Sequence, residues 1–184
     1  MRRTLPGVLA LVALSLSGTG VQAGEPVLPF HSTLQLIEDC ESSPTPSEQC
    51  LGFANWVAEC QAKGYDWGFQ SVRTGEATLM GRVTRFEQGC LDFPDVGSPS
   101  GIVRSYVQLT ITARNGDTLT SYAAGMFDFT QTNAPGTGTF SITGGTGRFA
   151  GARGSGTNGN VKGEGNPGWI IYQDGSLRLS RGKH

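Results

Sequence analysis

The feature that most constrains the fold is a segment in which apolar and polar side chains alternate up to an Asn-Gly turn. Val107, Leu109 and Ile111 occupy every second position, and polar residues stand between them. A period of two places successive side chains on opposite faces of a β-strand. Asn115 and Gly116 tolerate the positive φ angles of a tight turn. The segment therefore predicts an antiparallel hairpin that returns through residues 118–122.

Glycine extends this interpretation to most of the chain. The sequence contains 28 glycines in 184 residues, about twice the usual share of roughly 7%. β-type residues are interleaved with them, which favours many short strands with tight turns, as in a sandwich or a barrel, over disorder. Further strands are predicted at residues 30–37, 75–86 (with a bend at Gly81), 125–130, 137–143, and in a final hairpin, 169–172 and 176–179, around Asp174-Gly175.

One helix is predicted between the early strands. Phe53, Trp56, Val57 and Cys60 recur at the spacing of one helix face. Gly64 follows this segment and is expected to end the helix. The chain is thus predicted to be all-β apart from one short helix.

The N-terminus has the pattern of a secretory signal. Arg2 and Arg3 precede an apolar run over residues 5–16, and a small-x-small cleavage pattern ends at Ala23. The run is shorter than the roughly 20 residues that span a bilayer. We therefore expect a signal peptide at 1–23, a single domain at 24–184, and a secreted location, either extracellular or periplasmic. The near-neutral charge of −1 offers no basic surface for nucleic acid or anionic lipid.

The four cysteines all lie beyond the predicted signal. An even number in an exported chain predicts two disulfides. Three pairings are possible, and the sequence does not decide among them; we favour Cys40–Cys50 together with Cys60–Cys90. Their spacing, without a nearby histidine, does not suit a metal site.

Residues 141–154, which read SITGGTGRFAGARG, resemble the GGTGRF turn of the dirigent proteins and of the allene oxide cyclase-like barrels, including exported bacterial members. The Asn-Gly hairpin and residues 75–82 are similar to other strands of these families. The resemblance implies an eight-stranded antiparallel barrel with an apolar interior, to which this chain adds a disulfide-bearing insertion.

The glycine motif itself is expected to be structural. Its three glycines can adopt tight or positive-φ geometry after an apolar strand. The aromatic ring can then plug one barrel end, and the arginine can reach a carbonyl or a carboxylate there. The residues of this motif are Gly144, Gly145, Gly147, Arg148 and Phe149.

Complete catalytic or cofactor motifs do not occur in the sequence. His31 and His184 are the only histidines, so a Ser-His-Asp site has little material. Residues 154–159 spell GxGxxG, but the following glycines disfavour the helix that dinucleotide binding needs. Glu38, Asp39 and Glu41 are interpreted as a solvated acidic surface. No metal and no cofactor are predicted.

Aromatic residues are the best indication of a ligand pocket. Tyr65, Trp67 and Phe69 alternate and can share one face, and small barrels either fill with side chains or hold one ligand. Tyrosine hydroxyls and strand-borne charges can add polar contacts. The candidate ligand-contacting residues are Trp67, Glu76, Arg82, Tyr106 and Tyr122.

Three hypotheses of function follow from these features. The leading one is a barrel that binds or shields a small apolar molecule without turnover. The plant members of the resembling families guide cyclisation or coupling of apolar molecules, which implies as a second hypothesis a cyclase or isomerase-like enzyme. The resemblance assigns no catalytic residue, and Glu76, Arg82 and Tyr106 are candidates only because they lie on predicted strands. The third is a structural protein of the cell envelope or the extracellular space. The oligomeric state and the ligand are left open.

Overall fold

The fold is a closed barrel of eight antiparallel strands, as predicted. A computed structural model describes residues 26–93, 102–128, 136–162 and 169–180; the predicted signal peptide lies outside them. Each strand pairs with its neighbours in the chain, and the last strand closes on the first. The elements are β1 (Val27–Asp39), α1 (Phe53–Ala62), β2 (Trp67–Ala77), β3 (Gly81–Asp92), β4 (Ile102–Ala113), β5 (Thr118–Asp128), β6 (Gly136–Gly145), β7 (Arg153–Lys162) and β8 (Trp169–Arg178).

The Asn-Gly hairpin is confirmed, but the prediction of one long strand over residues 75–86 is wrong. The chain reverses there, and Ala77 of β2 pairs with Gly81 of β3. The turn contains two residues with positive φ, Leu79 at 67° and Gly81 at 69°. Leucine rarely adopts positive φ, so the presence of Leu79 did not indicate a turn at this position. The reversal places β2 and β3 side by side, so that Arg73 becomes the direct partner of Arg85.

The predicted final hairpin at Asp174-Gly175 is also wrong, since both residues lie inside the continuous strand β8. Gly175 pairs with Phe30 on one side and with Gly156 on the other, and Gly156 pairs with Phe140. A Cβ at Gly175 would come within 2.7 Å of the Cα of Gly156. The glycine therefore serves close strand packing and leaves room for the two flanking rings.

One half of the barrel is a solid apolar core. Phe30 and Phe140 meet above the paired glycines with ring centroids 5.8 Å apart. Leu34, Leu109 and Phe149 are among the core residues with at most 1% exposure. Burying each such side chain contributes about 1.5–3 kcal/mol. This half lies towards the β2–β3, β4–β5 and β6–β7 turns, which form what we call the plugged end.

The glycine motif closes the plugged end, in agreement with its predicted structural role. Phe149 is fully buried, and Gly147 has φ +55°, where a Cβ would collide with the carboxylate of Asp117. Arg148 reaches that same carboxylate, with Nε 3.6 Å from Oδ2. Gly144 and Gly145 end β6.

The insertion between β1 and β2 carries α1 and marks the opposite end, which we call the insertion end. Its disulfides are Cys40–Cys50 and Cys60–Cys90, the favoured pairing. The predicted helix is confirmed and is followed by Gly64 at φ +88°. Two disulfides indicate a non-reducing compartment. Across the described ranges, no helix has the length and apolar character needed to cross a bilayer.

Candidate functional site

The half of the barrel towards the insertion end contains a cavity of about 340 Å³. Seven strands contribute lining side chains, whereas β6 presents glycine at inward positions 136 and 138. The aromatic side chains of Trp67, Phe69 and Phe127 lie along this lining. The volume falls near the lower limit of ligand pockets, which span roughly 300–1,000 Å³. The barrel interior is thus half core and half cavity.

The polar part of the lining is a buried cluster of Ser71, Arg73, Arg85 and Glu87, which we call the arginine–glutamate cluster. Arg73 and Arg85 are direct partners across the β2–β3 pair, and Ser71 is the partner of Glu87. All four are at most 7% exposed. Like charges placed opposite each other destabilise a sheet, so the carboxylate between the arginines is needed to stabilise the pair.

Glu87 accepts hydrogen bonds at both carboxylate oxygens. Oε1 accepts from Ser71 Oγ at 2.5 Å and from Arg73 Nε at 2.6 Å. Oε2 accepts from Arg85 Nε at 3.0 Å and from Arg85 Nη2. These are charge-assisted bonds, which are about twice as strong as neutral ones.

Burial and charge act in opposite directions on Glu87. Burial raises the pKa of this carboxyl, but the guanidinium groups of Arg85 and then Arg73 outweigh it and, with Ser71, hold the pKa at about 2. Burial also lowers the pKa of Arg85, which Glu87 opposes. Arginine nevertheless stays protonated in proteins. The cluster is therefore fully ionised at neutral pH.

Several buried polar atoms at the cavity have no hydrogen-bond partner. In the described part of the chain, six buried side-chain atoms are unpartnered, and three of them belong to inward-facing residues of the cavity lining. These three are Arg85 Nη1, Asn158 Oδ1 and Asn160 Oδ1. The side chain of Gln70 points to the outer face, where its Nε2 donates to Gln88. Native proteins leave few such atoms unsatisfied, so their concentration here marks a place for a polar group or water.

Of the five residues predicted to contact a ligand, only Trp67 lines this cavity. Glu76 and Arg82 face each other across the β2–β3 pair on the outer surface. Tyr106 and Tyr122 are 47% and 55% exposed on the outer wall. Both tyrosines alternate with inward-facing Val107 and Ala123, so their hydroxyls cannot enter the barrel. The prediction that these four residues line the interior is wrong.

His31 and Tyr65 do not line the cavity, and the prediction that Tyr65 shares one face with Trp67 and Phe69 is wrong. His31 is exposed, with Nδ1 3.3 Å from Asp174 Oδ1. Tyr65 packs outside against Tyr106, with centroids 5.4 Å apart, so it does not share the cavity with Phe69. The GxGxxG segment lies within β7, which disagrees with dinucleotide binding. Residues 129 and 130, the end of the predicted strand 125–130, lie outside the described residues.

The arginine–glutamate cluster was missed because residues 75–86 were predicted as one strand, which keeps Arg73 and Arg85 apart along the chain. The period of two places Arg85 and Glu87 on the same face as apolar Val83 with or without the turn. Only the reversal makes Arg73 and Arg85 direct neighbours. Within the described ranges, no group of three or more His, Cys, Asp or Glu side chains could hold a metal ion.

No protein-family model matches the sequence, and a search of curated proteins found no match.

Proposed function

We propose that this protein is exported and binds a small, largely apolar molecule inside the barrel without transforming it. The observation that carries the proposal is the division of the interior. The plugged half is solid, whereas the other half holds a cavity of about 340 Å³ beside three aromatic side chains. The barrel wall removes the inner part of such a ligand from water, and the cavity opens at the insertion end beside Asp39, Glu41 and Trp67.

The chemistry of the cavity favours binding over turnover. A general base works best when its pKa lies near the working pH, and the pKa of Glu87 is held at about 2. This carboxylate is therefore a weak base and is not protonated to act as an acid. Glu76, Arg82 and Tyr106, the residues on which a cyclase hypothesis rested, all face solvent.

Two further observations support the proposal. The disulfides suit export, and the signal pattern at residues 1–23 predicts a mature chain that begins at Gly24. The likeness of residues 141–154 to the dirigent and allene oxide cyclase-like barrels supports a role with apolar small molecules. Mass spectrometry of protein recovered from the producing cells tests the cleavage site; a chain that retains residues 1–23 would contradict export by cleavage.

Binding is tested with the neutral fluorescent probe N-phenyl-1-naphthylamine and by native mass spectrometry of the purified mature protein. We expect saturable enhancement of probe fluorescence. Ala123→Phe places a ring into the cavity and should abolish it. Ala124→Phe, one position along β5 on the exposed face, is the matched control and should bind like the unaltered protein. Equal binding by both variants would refute the barrel interior as the site.

A further inference from the structure

We infer that the ligand is a compact aromatic carboxylic acid whose carboxylate is bound by Arg85. This inference rests on the proposed binding function and adds the chemical class of the ligand. Arg85 is 3% exposed, lines the cavity, and has a terminal nitrogen, Nη1, without a partner among the described residues. This nitrogen is the donor to which we assign the ligand carboxylate.

The neighbouring carboxylate cannot satisfy this nitrogen. Glu87 already accepts two hydrogen bonds at each oxygen, and its bonds from Arg85 use Nε and Nη2. An unpaired donor on a buried guanidinium is costly. An anionic oxygen is its best partner, since a hydrogen bond from a charged donor to an anionic oxygen is about twice as strong as a neutral one.

The size and walls of the cavity define the rest of the ligand. A volume of about 340 Å³ accommodates roughly ten to twenty non-hydrogen atoms at protein packing density. Trp67, Phe69 and Phe127 supply aromatic surface, which favours a flat ring system through offset or edge contacts. A long acyl chain would exceed this space.

Acidic residues are also present on the lining, but they do not oppose this assignment. Asp39 and Glu41 are exposed, so water and salt screen their charges. The oxygens of Asp39 accept hydrogen bonds from the Glu41 amide and the Ser42 hydroxyl, both at 3.2 Å. Asn158 and Asn160 lie on the same lining, and their Nδ2 groups, not the unpartnered Oδ1 atoms, are the donors that a carboxylate would need.

The test compares 2-naphthoic acid with its neutral relative 2-naphthalenemethanol by calorimetry at pH 7 on the unaltered mature protein. We expect the acid to bind about tenfold more tightly or better, because a charge-assisted bond replaces a neutral one. Equal affinities would overturn the inference and leave the proposed function intact. Failure of both compounds while N-phenyl-1-naphthylamine binds would also overturn it. Failure of all three would refute the proposed function itself.

Variants then assign the preference to Arg85. In Arg85→Gln, the acid should lose its advantage while the alcohol binds as before. Arg85→Lys keeps the charge beside Glu87 and so protects the fold, but it lacks Nη1; its preference for the acid should fall severalfold. An unchanged preference in Arg85→Lys would overturn Arg85 as the carboxylate anchor.

Discussion

Replacement of Glu87 by glutamine should weaken the fold in a way that depends on pH. The variant leaves Arg73 and Arg85 facing each other in the barrel without the carboxylate that joins them. The pKa of Glu87 falls from 4.5 to about 2 on folding. One pKa unit corresponds to about 1.4 kcal/mol, so the ionised carboxylate contributes roughly 3 kcal/mol to the free energy of unfolding at pH 7.

The sign of the pH dependence follows from the lowered pKa. Because the folded protein holds this proton less tightly than the unfolded chain, the contribution is complete above about pH 4.5 and is lost as the pH falls towards 2. Glutamine does not titrate. The stability difference between the unaltered protein and Glu87→Gln should therefore shrink by about 3 kcal/mol between pH 7 and pH 2.

Urea unfolding at several pH values, followed by circular dichroism with the disulfides intact, measures this difference. Glu76→Gln on the outer surface is the matched control and should change stability by less than about 0.5 kcal/mol. A Glu87→Gln protein with the same pH profile as the unaltered one would refute the electrostatic role of the cluster. If that variant does not fold, Ser71→Ala removes one donor to Glu87 and should cost about 1–2 kcal/mol, with acid unfolding moved to higher pH.

Three further predictions concern the scaffold. Phe140→Ala should lower the free energy of unfolding by about 3–5 kcal/mol through a core cavity, whereas the exposed control Tyr122→Ala should change it by less than about 1 kcal/mol; similar urea midpoints would contradict the assigned core. Replacing Cys60 and Cys90 together by alanine should cost about 3.5 kcal/mol, because their bond closes a loop of 30 residues, and an unchanged melting temperature would argue against that bond. Gly147→Ala should cost more than about 1 kcal/mol from its positive φ and the nearby Asp117 carboxylate, measured by the same unfolding assay; a neutral effect would contradict the described turn.

Local patterns were sufficient for the hairpin, the helix and the structural motif. The alternation at Val107–Ala113 needs only the two-residue period of a strand, and Asn115-Gly116 needs only a turn that accepts positive φ. Gly64 ends α1 for a similarly local reason. Such features depend on neighbouring residues alone, so sequence could predict them.

The candidate site depended on a turn that carries no usual turn residue at its centre. Leu79 adopts positive φ although its type gives no such indication, and missing this turn merged the ends of β2 and β3 into one predicted strand. Gly175 led to the opposite error, since a turn was predicted where the strand is continuous. It looks like a turn residue next to Asp174, but it lies within β8, where close contact with Gly156 requires it.

The sequence by itself determined an all-β chain with one short helix and an even set of cysteines beyond a signal-like start. The strands and the helix follow from side-chain periodicity and from the backbone freedom of glycine and asparagine, which act over a few residues. The cysteine count and the signal pattern can be read directly from the residues. Only the tertiary structure decided that Arg73, Arg85 and Glu87 meet inside the barrel beside a cavity. Their meeting depends on strand register, and register is set by packing across the whole closed sheet.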